Sequence, residues 1–284
     1  RALTPNTEAV NEALIAAFNF EYINETLTGG AQPRITSYFS NSPLAMQDGP
    51  ATGRVAELLT PFADDLPAGA LDGYALPVSD GSARNRAGIR RAMGALADAG
   101  FSADGGTMRG PDGQPLSFSI LLSKGSSENI AIAELYIQAL ARLGITARVD
   151  AVDDAQFVAR NAAFDFDLAI FRRALSLSPG NEQRYYWGSE AADQEGSRNL
   201  MGVQSPAIDA MIDTMVGASS AEDFTAATRA LDRVLTAGRY VIPFWQFTED
   251  RIAHVAAMKY PSHVPLYGDG PNYMPEVWWI EPAR

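Results

Sequence analysis

The segment 176–189 (SLSPGNEQRYYWGS) carries the residue types that best suit recognition of a solute. It follows a predicted sheet strand, and open α/β sheets bind ligands beyond the carboxyl ends of their strands. A binding pocket needs flat apolar walls and a few placed polar groups, and this stretch offers both. The alternative is that its aromatic residues open a helix and pack in a core. The candidate ligand-binding residues here are Arg172, Arg173, Ser176, Ser178, Asn181, Arg184, Tyr185, Tyr186 and Trp187.

Three other places offer similar side chains. Ser37, Tyr38 and Phe39 lie in a long predicted loop, and binding residues concentrate in loops. Asn199 follows the aromatic segment, and Trp245 lies on a predicted strand over 240–247. An ordinary core position for Trp245 is at least as compatible with the sequence. We add these five residues to the candidate ligand-binding set.

Motifs of several catalytic and metal-binding classes are missing from the chain. It contains no Cys, which excludes disulfides, Cys-ligated zinc, iron–sulfur clusters and thiol nucleophiles. Its two histidines, His254 and His263, form no His-Glu-x-x-His motif, and neither a Gly-x-Ser-x-Gly elbow nor a phosphate-binding loop occurs. The sequence therefore predicts no catalytic residues, no metal site and no cofactor.

Paired carboxylates are the remaining route to catalysis. Asp165 and Asp167 alternate on one predicted strand, and Asp153 and Asp154 follow another. Such pairs can act as general acid and base in glycoside hydrolysis. The simpler interpretation is a helix cap for Asp153 and Asp154 and a polar strand edge for Asp165.

Composition limits the class of protein. The chain has 284 residues, with 22 Lys plus Arg against 34 Asp plus Glu, which gives a net charge of −12. At about 150 residues per domain, two domains or lobes are expected. The acidic balance disfavours nucleic acid and anionic membrane surfaces as partners. No apolar run approaches the ~20 residues that span a bilayer, so we expect no membrane insertion by this chain.

Hydrophobic periodicity predicts the elements that position these residues. Alternating strands and helices predict an α/β fold with a parallel sheet, followed by a different pattern after residue 171. We place a domain boundary near Arg172. The expected helices cover 7–26, 54–59, 86–99, 128–143, 155–161, 206–216 and 221–237. The expected strands cover 116–122, 145–152, 167–171, 240–247 and 254–258.

Several motifs resemble the C-terminal half of extracellular solute-binding proteins of family 5, in the branch associated with uptake of oligopeptides and microcin C. The most specific are Ser178-Pro-Gly-Asn-Glu-Gln183 and Tyr186-Trp-Gly-Ser189. The others are Asn11-Glu-Ala-Leu14, Phe18-Asn-Phe-Glu21, Asn24, Ser37-Tyr-Phe39, the stretch 96–101, Phe164-Asp-Phe-Asp167, Asn199-x-x-Gly202, Ala230-Leu-Asp-Arg-Val-Leu235 and Ile242-Pro-Phe-Trp245.

The resemblance implies a fold and a function. It implies a lobe like that of type II periplasmic binding proteins over residues 1–171, ending in a hinge strand near 167–171. Residues 172–284 would return to the other lobe, whose N-terminal portion would be absent from this chain. Such proteins capture a small peptide or peptide-like ligand between two lobes and deliver it to a membrane-embedded ABC permease. We therefore expect a periplasmic, exported protein whose signal peptide is not in this chain.

One departure from the family concerns the ligand. Some peptide-binding members place an acidic residue after this hinge strand to pair with the amino terminus of the peptide. The corresponding stretch here, 174–178 (ALSLS), has no carboxylate, so Arg172 and Arg173 favour an acceptor-rich or anionic ligand instead. Two alternatives to the binding protein stay open: a glycan-active hydrolase with paired carboxylates beside aromatic platforms, and a scaffold without a small ligand.

Overall fold

A parallel three-stranded sheet forms the α/β part of the chain, as predicted. The computed structural model describes residues 7–173, 176, 178–246, 252–263 and 273–281. The strands β3 (Ser117–Ser123), β4 (Thr146–Val152) and β5 (Leu168–Ala169) are ordered β4–β3–β5. The central strand β3 is buried along most of its length because its apolar residues are covered on both faces.

Helices connect and cover these strands. The crossover from β3 to β4 contains α5 (Ser127–Ala141), and the one from β4 to β5 contains α6 (Asp154–Ala162). On the N-terminal side, α1 (Thr7–Ala17) packs against α4 (Arg86–Asp98). A short antiparallel hairpin of β1 (Ser102–Asp104) and β2 (Thr107–Arg109) precedes the sheet.

The predicted N-terminal helix is interrupted. Residues 7–26 form two helices, α1 and α2 (Phe20–Thr28), separated at Asn19. The buried side chain of Asn19 donates a hydrogen bond to the carbonyl of Ser82 and accepts one from the Ser79 hydroxyl. These contacts with a distant loop stabilise the break, which hydrophobic spacing alone does not reveal.

A second core joins the long loop to the C-terminal helices. The helices α8 (Pro206–Val216) and α9 (Ala221–Ala237) pack together, and α3 (Gly53–Leu59) packs on α9. The buried cluster between them also includes side chains from the loop around Phe39 and from α7 (Glu182–Trp187). Because the loop is covered in this way, the stretch 31–83 is ordered although it contains one α-helix only.

Two adjacent charged residues on α9 fasten that loop. The Asp232 carboxylate accepts hydrogen bonds from the Ser37 hydroxyl and from the backbone amides of Tyr38 and Met46, at 2.5–2.8 Å. The Arg233 guanidinium donates to four backbone carbonyls of the loop at 2.8–3.2 Å. Both side chains are buried, so the loop depends on a helix that lies between 162 and 195 positions away.

The chain divides into compact units after Phe244, and residues 172–244 pack with the part of the chain that precedes them. The core just described therefore contains residues from both sides of the boundary predicted near Arg172. The assignment of residues 1–171 and 172–284 to two lobes concerns the whole protein and stays a prediction.

The second unit begins at Trp245. In it, β6 (Met258–Lys259) pairs antiparallel with β7 (Trp279–Ile280), which follows α10 (Tyr273–Val277). The strand predicted over 254–258 is thus shorter and shifted. The strand predicted over 240–247 is wrong for the described residues 240–246, which form no ladder.

Candidate functional site

Three parts of the chain converge around Arg173. The arginine follows β5, the aromatic residues Tyr186 and Trp187 lie on α7, and Tyr38 and Phe39 lie on the loop that Asp232 holds. We call these five residues (Tyr38, Phe39, Arg173, Tyr186 and Trp187) the arginine–aromatic cluster. The sequence predicts each of them as a ligand-binding residue, and the fold brings all five together.

The Arg173 guanidinium lies among three aromatic rings. Its central carbon is 4.6 Å from the ring centroid of Tyr186, 4.8 Å from that of Trp187 and 5.6 Å from that of Phe39. These distances are within the range of favourable cation–π contact. Burial lowers the pKa of the Arg173 guanidinium, yet arginine stays protonated in proteins. The cluster therefore holds a positive charge.

Hydrogen bonding leaves part of this charge unsatisfied. Nη2 of Arg173 donates to the Gln183 side-chain oxygen at 2.8 Å. Its Nε and Nη1 are shielded from solvent and have no hydrogen-bond partner among the described residues. A buried donor without a hydrogen-bond partner costs free energy, and the cost is larger when the donor belongs to a charged group. An acceptor supplied by a ligand would therefore interact strongly here.

Tyr38 adds a further donor without a partner. Its ring meets that of Trp187 edge-on at a centroid distance of 5.0 Å. Its hydroxyl is buried and makes no hydrogen bond within the described part of the chain. Burial raises the pKa of the Tyr38 hydroxyl well above its ordinary value, so the group stays a neutral donor. The cluster thus offers N–H and O–H groups to an acceptor-rich molecule.

Gln183 is a residue of the site that the sequence does not single out. Its side-chain oxygen accepts from Arg173 and also from the Trp187 indole at 2.9 Å. It is buried, and it fixes both the arginine and one aromatic wall. Its presence in the motif Ser178-Pro-Gly-Asn-Glu-Gln183 is the only sequence signal for this role.

Two predicted arginines lie outside the cluster. Arg172 is exposed, and its guanidinium is 3.7 Å from the Glu128 carboxylate. Arg184 is also exposed and forms an ion pair with Asp213 on α8. Exposed ion pairs contribute little to stability, and neither arginine contacts the aromatic rings described above.

The predicted hydroxyl and amide residues of this segment are exposed. The Ser178 amide donates a hydrogen bond to the Ser176 hydroxyl at 3.0 Å. Asn181 precedes α7 without capping it through its side chain. The Tyr185 hydroxyl donates to the Gly196 carbonyl at 2.6 Å. A ligand-binding role for these four residues stays a prediction.

Asn199 and Ser37 have internal partners. The Asn199 side chain donates to the carbonyls of Gly188 and Val203 and accepts from the Val203 amide, at 2.8–3.0 Å. The Asn199 side chain is fully buried. Ser37 is also buried, and its hydroxyl donates to the Asp232 carboxylate. Both side chains stabilise loops that border the cluster. Trp245, the remaining predicted residue, is buried and begins the second unit.

Replacing Asn199 with alanine is expected to lower the free energy of unfolding by about 2 kcal/mol, because buried backbone groups lose their partners. Solute affinity of the folded protein is expected to stay within about twofold, since the residue is enclosed. Denaturant unfolding and calorimetric titration at one temperature check the two effects. A loss of affinity at unchanged stability would instead place Asn199 in contact with the ligand.

The candidate catalytic carboxylates are occupied by structural contacts. Asp153 caps α6 by accepting from the Gln156 amide at 2.9 Å, as the simpler interpretation predicts. Asp165 forms an ion pair with Arg160, and Asp167 accepts two hydrogen bonds from Ser119.

Within the described residues, no group of three His, Cys, Asp or Glu is arranged to hold a metal ion. No helix of that part of the chain is long and apolar enough to cross a membrane.

Comparison with known proteins identifies the family. The sequence model described as bacterial extracellular solute-binding proteins, family 5 middle, matches residues 5–195, which is more than half of the chain. The chain belongs to this family. The family 5 membership confirms the resemblance found in the motifs around α7.

Curated relatives agree with this membership. The chain is 38% identical over 280 residues to the peptidoglycan-binding protein YepA of Agrobacterium fabrum, covering 98% of the chain and 45% of the relative. It is 39% identical over 272 residues to the probable peptide-binding protein YejA of the same organism, covering 95% and 43%. This family 5 chain therefore spans less than half the length of the curated relatives it matches.

Solved structures confirm the fold class. The oligopeptide-binding protein AppA from Bacillus subtilis, solved in complex with a nonapeptide, matches with a TM-score of 0.69 at 16% identity. The match covers 97% of this chain and 48% of AppA. The predicted α/β fold of type II periplasmic binding proteins is thereby confirmed for this family 5 chain.

Proposed function

We propose that this chain is part of the substrate-binding component of an ABC importer. The component captures oligopeptides or peptide-like solutes in a cleft between two lobes in the periplasm and delivers them to a membrane permease. The single observation that carries the proposal is the set of unsatisfied donors on Arg173, enclosed by aromatic rings. Family 5 membership and the names of the relatives support it.

The arginine–aromatic cluster suits a ligand with many acceptors. Peptide carbonyls and a terminal carboxylate accept hydrogen bonds in the geometry that a guanidinium offers. The aromatic faces accommodate side chains of different shapes, and water fills the remaining space. Tyr38, Arg173 and Tyr186 are each partly exposed, so the cluster borders solvent on their side. Binding of this kind needs no covalent step.

The two-lobe clamp is part of the proposal. Residues 1–171 are assigned to one lobe and residues 172–284 to the other, with the cleft between them. The cluster contains residues from both ranges. Because the loop around Phe39 shares a buried core with α8 and α9, we assign this loop to the second lobe, so that the whole cluster moves as one body on closure.

A calorimetric titration tests the proposed function. Short peptides with free C-terminal carboxylates are titrated into the protein in its natural full length, and the same peptides are then titrated with amidated C-termini. We expect saturable binding that is about tenfold weaker for the amidated peptides, since one charge-assisted hydrogen bond is lost. Mass spectrometry after long incubation should find the peptides intact. Absence of binding for every peptide, or their hydrolysis, would contradict the proposal.

A further inference from the structure

Four arginines line one open cavity that shares no residue with the arginine–aromatic cluster. The cavity has a volume of about 520 Å³, and its lining consists of Arg84, Arg86, Arg90 and Arg142 around the apolar side chain of Ile89. This volume is within the range of ligand sites in proteins, which are mostly apolar. Four of the five lining residues are nevertheless arginines, which indicates an anionic occupant.

Two packed segments position these arginines. Arg86 and Arg90 are one turn apart on α4, and Arg84 lies just before that helix. Arg142 follows α5 directly and donates a hydrogen bond to the Ala83 carbonyl at 2.6 Å. This bond ties the end of α5 to the start of α4. The backbones that carry the four arginines therefore belong to α4, the turn before it and the end of α5.

The charges of this cavity are not compensated by ion pairs. None of the four guanidinium groups pairs with a carboxylate of the described residues, although acidic residues outnumber basic ones in the chain. The neighbouring Arg91, by contrast, pairs with Glu12 at 2.6 Å. Asp80 is the nearby carboxylate whose charge acts on Arg86, but it bonds to Ser82. Like charges gathered in this way repel one another unless an anion binds between them.

We propose that the cavity lined by Arg84, Arg86, Arg90 and Arg142 binds a phosphate-bearing anion. Guanidinium groups match phosphate oxygens in a two-pronged geometry, and four of them suit a group with more than one negative charge. The phosphate belongs either to a soluble molecule or to a lipid headgroup. The net charge of −12 repels an extended anionic surface, so we expect the soluble source. The proposal does not depend on the proposed solute-binding function.

The test compares two double variants of equal net charge in the full chain. Arg86→Gln/Arg90→Gln removes two charges from the cavity. Arg54→Gln/Arg148→Gln removes two exposed charges elsewhere. Inorganic pyrophosphate is titrated into each protein by calorimetry, and sedimentation is measured with vesicles of phosphatidylglycerol and of phosphatidylcholine. Thermal melting confirms that both variants fold, as the exposure of all four residues predicts.

We expect pyrophosphate to bind the unmodified chain, and the affinity to fall about tenfold or more in the cavity variant because charge-assisted bonds are lost. The control variant should stay within about twofold. A different result is that the unmodified chain and the control variant sediment with anionic vesicles while the cavity variant does not. That result would also support the site, with a lipid headgroup as the source of the phosphate. Absence of binding to either probe, or equal losses in the two variants, would overturn the proposal.

Discussion

Replacing Arg173 with methionine is expected to weaken solute binding by about 100-fold or more, since two charge-assisted hydrogen bonds to the ligand would be lost. Methionine keeps an unbranched side chain against the rings of Tyr186 and Trp187, so the aromatic walls keep most of their packing. The replacement also removes a charge whose Nε and Nη1 lack partners. Calorimetric titration of a binding peptide measures the loss directly.

Two further variants make this result specific. Arg173→Lys keeps the charge but not the planar fork, so we expect affinity between those of the unmodified protein and the methionine variant. Arg148→Met removes an exposed charge on β4 and should change affinity less than about twofold. The thermal midpoint of Arg173→Met should not fall, because replacing a poorly paired buried charge with an apolar group is often neutral or stabilising. Equal affinity of Arg173→Met and the unmodified protein would contradict a role in binding.

Replacing Asp232 with alanine is expected to lower the free energy of unfolding by about 3–5 kcal/mol, because several buried donors lose their shared acceptor. The Ser37 hydroxyl and the amides of Tyr38 and Met46 all bond to this carboxylate. Burial raises the pKa of the Asp232 carboxyl, and these hydrogen bonds act in the opposite direction. Denaturant unfolding followed by fluorescence measures the change in stability.

Milder replacements separate the hydrogen bonds from the packing. Asp232→Asn keeps one acceptor oxygen, so we expect a smaller loss of stability than in the alanine variant. Thr236→Val removes a peripheral donor at 3.3 Å from the carboxylate and should cost less than about 1 kcal/mol. A loss below about 1 kcal/mol for Asp232→Ala would show that the loop 37–71 does not depend on α9 for its position.

Local signals in the sequence were sufficient for most regular elements. The helices over 206–216 and 221–237 have the predicted bounds, because Ser205 and Ser220 cap them through side-chain hydrogen bonds. The strands β3 and β4 begin and end within a residue of their predicted positions. Capping and apolar runs act within a few residues, so they can be recognised without knowledge of the fold.

Long-range contacts explain what the sequence did not reveal. In a helix pattern, Asp232 and Arg233 look like solvent-exposed charges, whereas both are buried against a loop that lies between 162 and 195 positions away. The interruption at Asn19 likewise depends on residues 79–82. No spacing of residues in the sequence indicates either contact, since partners so distant meet only after the chain has folded.

The candidate site was predictable in residue types but not in its geometry. Arg173 and Trp187 were predicted as ligand-binding residues from the segment after a predicted strand, and Tyr38 from the long loop. The proximity of Tyr38 to the other two follows only from the packing of that loop. Gln183 was missed because a single polar residue on a short helix gives no signal of burial. Asn199 has the polar side chain of a binding residue, but its three hydrogen bonds close a loop.

The most direct test of solute recognition by the arginine–aromatic cluster is a crystal structure of the natural full-length protein with a bound peptide. We expect a ligand oxygen within about 3.2 Å of Nε or Nη1 of Arg173, which is hydrogen-bonding distance, and a ligand group against the Tyr186 ring. A peptide bound elsewhere, with the Arg173 guanidinium still enclosed by aromatic rings alone, would contradict the proposed site.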